Sequence, residues 1–119
     1  MGRTPEEYII CAGVVPEGSN IYLGVFDKED VLYTTGKLMD EAMSDYAENA
    51  SCMLIFSCMA RNLSLGLDSM AELELVMNKV GSSVPFMMTY SGGEICPTQV
   101  SDLSAINRFH NNTIVVCIL

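Results

Sequence analysis

Positive charge is scarce in this chain. Six lysine and arginine residues stand against fifteen aspartate and glutamate in 119 residues, a formal net charge of −9 with the single histidine neutral. At a sequence pI of about 4.2 the summed field repels phosphate backbones and anionic lipid, and so few cations cannot counter it. Nucleic acid and the membrane surface are thereby set aside as partners. Long apolar runs are missing too: none approaches the roughly 20 residues that span a bilayer. The start, Met1-Gly2-Arg3-Thr4-Pro5-Glu6-Glu7, is polar rather than a signal h-region, so the expected location is cytoplasmic. The cysteines Cys11, Cys52, Cys58, Cys96 and Cys117 are odd in number, lack CxxC spacing and sit mostly in apolar runs. That is the placement of reduced thiols in a cytosolic core, not of a disulfide framework. Asn49-Ala50-Ser51, Asn62-Leu63-Ser64 and Asn111-Asn112-Thr113 match the glycosylation pattern, and without a secretory route the match is idle.

What is present is apolar substance. Half the residues are hydrophobic and only 18% are charged, so the chain fits one globular domain able to bury a core without staples. Tyr8 to Val15 and Ile21 to Phe26 are β-type runs separated by Pro16-Glu17-Gly18-Ser19, and they read as adjacent antiparallel strands. From Leu38 to Ala50 apolar residues recur at 38, 39, 42, 43, 46 and 47, a helical stripe backed by a solvated acidic face of Asp40, Glu41, Asp45 and Glu48. Cys52 to Phe56 is a strand buried on both faces. Ser69-Met70-Ala71-Glu72 reads as a capping box, followed by Leu73, Val76, Met77 and Val80 at helical spacing and by the stop Gly81. Val84 to Tyr90 is a further strand, Ile95-Cys96 a short return strand, 99–107 a polar loop, and Thr113 to Leu119 a last strand locked into the sheet.

The order β-β-α-β-α-β-(β)-β implies an α+β fold: a single mixed sheet of about five to six strands with two helices on one face. Val14, Val25, Met53, Ile55, Met87 and Val115 cannot all point at two helices, so the other face expects a cover, either a second copy or another domain. One of Met87 and Met88 must face away from the helices, while Met39, Met43, Met70 and Met77 are expected in the core.

Several fragments in fixed order carry more. They are Val15-Pro16-Glu17-Gly18; Phe56-Ser57-Cys58 with Arg61 and Leu65-Gly66; Glu72; Val84-Pro85-Phe86; Tyr90-Ser91-Gly92-Gly93-Glu94-Ile95; and Phe109-His110-Asn111-Asn112-Thr113. Over residues 13–119 this set resembles the C-terminal domain of FIST proteins, the F-box and intracellular signal transduction family. The resemblance implies an intracellular, non-enzymatic sensor of small ligands such as amino acids, with an N-terminal companion domain that this chain lacks. The family turn is often Tyr-Ser-Tyr-Gly-Glu; here Gly92 replaces the aromatic, which widens or empties a pocket there.

The ligand-binding residues expected on this basis are Cys58, Arg61, Tyr90, Ser91, Glu94, His110 and Asn111, gathered on a rim at strand ends. Arg61 offers a bidentate fork to a carboxylate and Glu94 an acceptor to an ammonium, so a small zwitterion would be held at both ends. The structural alternative pairs Arg61 with Glu72 or Glu94. Cys58, His110 and Glu94 compose a conceivable thiol hydrolase, and Cys58, Cys96 and His110 a conceivable metal set, though neither has supporting spacing. No cofactor is implied: Gly92-Gly93 lacks the Lys and Ser/Thr of a phosphate loop. The expected partners are a small-molecule ligand, a companion domain or signalling partner, and a second copy in a homodimer. An interaction module without ligand is the alternative function.

Overall fold

The structure, a computed structural model, describes residues 2–3, 8–97 and 106–119. Its centre is a three-stranded mixed sheet. Strand β3 (Met53–Cys58) lies in the middle, parallel to β4 (Phe86–Ser91) and antiparallel to β7 (Ile114–Ile118). Two antiparallel ladders accompany it: β1 (Gly2–Arg3) with β2 (Ile9–Ile10), and β5 (Glu94–Cys96) with β6 (Arg108–His110). The last strand is tied down as expected. Leu119 exchanges backbone hydrogen bonds with Cys52, and the Cys58 N–H donates to the Thr113 carbonyl at 2.9 Å.

Three helices complete the fold: α1 (Lys28–Asp45), α2 (Met59–Leu65) and α3 (Ala71–Val80). The class is α+β, with a mixed sheet and the two longer helices on one face, as the element order implied. Period-two alternation along β3 sends Met53, Ile55 and Ser57 to the helices and Leu54 and Phe56 to the other side. Met39 of α1, Met53, Ile55, Val76 and Val80 of α3, and Val84 form the buried cluster, joined at its margin by Phe86, Met88, Ile114 and Val116. Each such side chain contributes about 1.5–3 kcal/mol relative to exposure.

The details depart from the sequence reading in several places. Helix α1 begins ten residues before the expected Leu38, because Asp27 and Asp30 form a reciprocal capping box, with Asp30 N–H donating to Asp27 Oδ1 at 3.0 Å. It stops at Asp45, and Ala47–Asn49 is a 3-10 turn. The expected capping box at Ser69 does not form. The α3 N-cap is Met70 without a side-chain bond, and Glu72 turns inward instead. Gly81 does end α3, at φ +59 with its N–H bonded to the Met77 carbonyl. The antiparallel pair expected from Tyr8 to Phe26 is absent: only Ile9–Ile10 is strand, and Ile21, Tyr22, Leu23 and Val25 are exposed. Met70 and Met77 lie half-exposed rather than in the core, whereas Met39 is fully buried. The loop expected over 99–107 falls outside the described residues except for Ile106 and Asn107.

Met88 packs on the core and Met87, 56% exposed, faces away. With Leu54, Phe56, Val115 and Cys117 it belongs to a sheet face that no helix among the described residues covers.

Candidate functional site

The C-terminal ends of the parallel strands β3 and β4 place Cys58 opposite Ser91. Two polar arrangements flank this point, one on each side of the sheet.

The helix side is closed. Arg61, on the short helix that directly follows β3, is 2% exposed. Its Nε and one terminal nitrogen donate to Glu72 Oε1 at 3.0 and 2.8 Å, and that nitrogen also reaches Thr35 Oγ1 at 2.7 Å and the Val31 carbonyl at 2.9 Å. Thr35 Oγ1 donates to Glu72 Oε1 at 2.7 Å and Ser57 Oγ to Glu72 Oε2 at 2.9 Å. Both Glu72 oxygens are thus satisfied, and α1, α2, α3 and β3 are joined through one carboxylate. Arg61 has no accessible face for a ligand. Tyr90 lies beside this network. Its hydroxyl is buried without a formed hydrogen bond among the described residues, although Asn62 and Glu72 are close enough to act on its titration. Burial raises its pKa above 10, the Glu72 charge adds to that rise, and Asn62 and Arg61 oppose it.

The other side is open. Phe56 of β3, Val115 of β7, Ser91 of β4, Gly93, and Glu94 and Ile95 of β5 line a pocket of about 170 Å³. A Cβ at Gly93 would come within 2.5 Å of the half-exposed Phe109 ring on β6, so a larger residue there would have to displace that ring. Glu94 is 4% exposed; Ser91 Oγ donates to its Oε1 at 2.6 Å, and its Oε2 has no donor among the described residues. An unmet buried acceptor costs about 1–3 kcal/mol, more when charged, which a fold keeps only where something offsets it.

His110 pairs in register with Glu94, but its Nε2 donates to the Cys96 carbonyl at 3.1 Å, which places the ring proton on that nitrogen. It makes no hydrogen bond to Cys58, a buried free thiol at the N-cap of α2. Burial raises the Cys96 thiol pKa and the Glu94 charge raises it further. Among the described residues no three His, Cys, Asp or Glu side chains converge as metal ligands do. Asn111 and Asn112 make the turn into β7, Asn112 at φ +61 and Asn111 accepting from Thr113 Oγ1 at 3.2 Å.

A protein-family model, described as the FIST C domain, matches residues 1–97, four-fifths of the chain. The chain belongs to the FIST C domain family. Membership makes it a sensor-type domain of signal transduction. No curated protein and no solved structure matches it. The FIST C match contains Cys58, Arg61, Tyr90, Ser91 and Glu94, whereas His110 and Asn111 lie beyond it. Within this FIST C domain the structure brings Ser91 and Glu94 together at the pocket, with His110 opposite Glu94 on the neighbouring strand. It sends Arg61 to the far side of the sheet and leaves Cys58 and Asn111 outside the lining. Phe56, Val115 and Ile95 were not foreseen as lining residues. A strand read as buried on both faces carried no sign that one end of its second face borders a cavity.

Proposed function

We propose that this FIST C domain senses a small ligand in the pocket formed by Ser91, Glu94, Phe56 and Val115, on behalf of a signalling partner in the cytoplasm. The observation that supports it is the Glu94 carboxylate, buried at the pocket with one oxygen unmet. The family resemblance suggests an amino acid or a similar small polar metabolite. Such a ligand can signal only by binding one arrangement of the domain and its partner better than another. β5 carries Glu94 and also lies against β3 and β7, so occupancy there bears on how the ribbon sits on the sheet.

A thermal-shift screen tests the proposal. An amino-acid or metabolite panel raises the melting temperature by mass action, and Glu94→Gln removes the increase. A panel that shifts neither protein counts against the sensor reading. A second reading, self-association, draws on the uncovered sheet face around Met87 and is argued below at the scale of the molecule. No helix among the described residues is long and apolar enough to cross a membrane.

A further inference from the structure

We infer that the ligand of this pocket is a cation, a small alkylammonium compound without a carboxylate beside its nitrogen. The inference rests on the pocket being the ligand site, and it narrows what enters. Glu94 is 4% exposed, one of its oxygens holds the Ser91 hydroxyl, and the other lacks a donor among the described residues. A carboxylate so placed beside a pocket favours a group with several N–H donors and a positive charge.

The rest of the lining agrees. Phe56, Ile95 and Val115 are apolar, Ser91 is neutral, and among the described residues no lysine, arginine or histidine lines the pocket. Phe56 also supplies an aromatic ring, which attracts cations by its quadrupole. A zwitterion would need a cation for its carboxylate, and among the described residues none stands at the lining: Arg108, on β6 opposite Cys96, is not a lining residue, and four others are paired elsewhere. Arg61 is locked to Glu72 on the opposite side of the sheet, Lys79 is paired with Asp40, Lys37 with Glu41 and Lys28 with Asp68. The net charge of −9 favours a cation over an anion before contact is made. The cavity of about 170 Å³ sets the size. That is room for a small molecule and not for a chain segment.

The test is a ¹⁵N-HSQC titration of the whole chain at neutral pH and matched ionic strength, with n-butylammonium chloride, 1-butanol, sodium butyrate and norvaline as probes. The four share similar hydrocarbon chains and differ in charge. The expected result is a saturable shift of the Ser91, Gly93, Glu94 and Ile95 amides by n-butylammonium, with a Kd on the order of millimolar for so small a molecule. Butanol, butyrate and norvaline bind at least about tenfold more weakly, and Glu94→Gln, checked by its own spectrum for a native fold, loses the preference. Equal binding of butanol overturns the inference without need of a variant, as does an unchanged preference in Glu94→Gln. If norvaline or butyrate binds more tightly than n-butylammonium, the cation class falls while the sensor reading stands. If no probe moves these amides, the cation class falls and the pocket loses its support as the ligand site.

Discussion

Arg61 and Glu72 were legible in the sequence as residues of consequence, and the alternative that paired Arg61 with Glu72 is the one the structure shows, not the ligand-binding role. A glutamate three residues after a serine at a helix start reads as a cap, and an arginine after a strand end reads as an anion receptor. What neither the cap nor the receptor reading can see is that the pair is fully buried beneath α1, since burial is a property of packing. Once both are buried the arithmetic changes. Removing one partner of a buried pair leaves a charge unmet and costs about 3–5 kcal/mol, a large share of a small domain's stability. Arg61→Met is therefore expected to unfold at markedly lower urea concentration; a loss below about 1 kcal/mol would show that the pair is solvated. Tyr90 gives a pH test. Its pKa is raised in the fold, so its neutral form is favoured, and the stability this confers is present below pH 10 and lost as pH rises through the folded-state value. The loss of stability above pH 10 is expected to be smaller in Tyr90→Phe than in the parent. At neutral pH that variant is expected to be at least as stable, since it removes a buried hydroxyl without a bond.

Among the elements, α3 was found by period and by its glycine stop, and α1 only by its second half. The cause is tertiary. The stripe at Leu38 to Ala47 is apolar enough to see, whereas the first turns of α1 bury Val31 and Thr35 among polar neighbours. What marks the true start is Asp27 with Asp30, a box made from two aspartates. The two starts therefore make a paired prediction for thermal or urea unfolding. Asp27→Ala is expected to cost about 1 kcal/mol. Ser69→Ala, at the box that does not form, is expected to stay within about 0.5 kcal/mol. Comparable losses at both positions would contradict the cap assignment. Strand β6 was missed because Arg108–His110 is too short to have a period, and it is held by pairing with β5 rather than by propensity. That pairing bears on the pocket's edge, since it is β6 that brings Phe109 over Gly93.

The whole molecule is thin, 53 × 40 × 19 Å, and the short dimension suits one sheet and one helix layer but not a third. Of the six apolar residues counted toward a second face, Met87 and Val115 do lie on it, Met87 at 56% exposure, whereas Met53 and Ile55 face the helices and Val14 and Val25 belong to no strand. The β-type residues Ile21, Tyr22, Leu23 and Val25 are exposed as well, so a second copy would bring apolar surface to the apolar sheet face. Self-association through this face predicts that sedimentation velocity shows a dimer whose fraction rises with protein concentration. Met87→Asp, which sets a charge in the middle of the face without touching the core, should weaken that dimer by tenfold or more. Met87 itself does not line the pocket, so n-butylammonium is expected still to bind the variant, although the face and the pocket share Phe56 and Val115. A monomer at all concentrations would reject pairing through this face. Loss of ligand binding in Met87→Asp would show instead that the face and the pocket are coupled, the arrangement a sensor needs if occupancy is to be read by a partner.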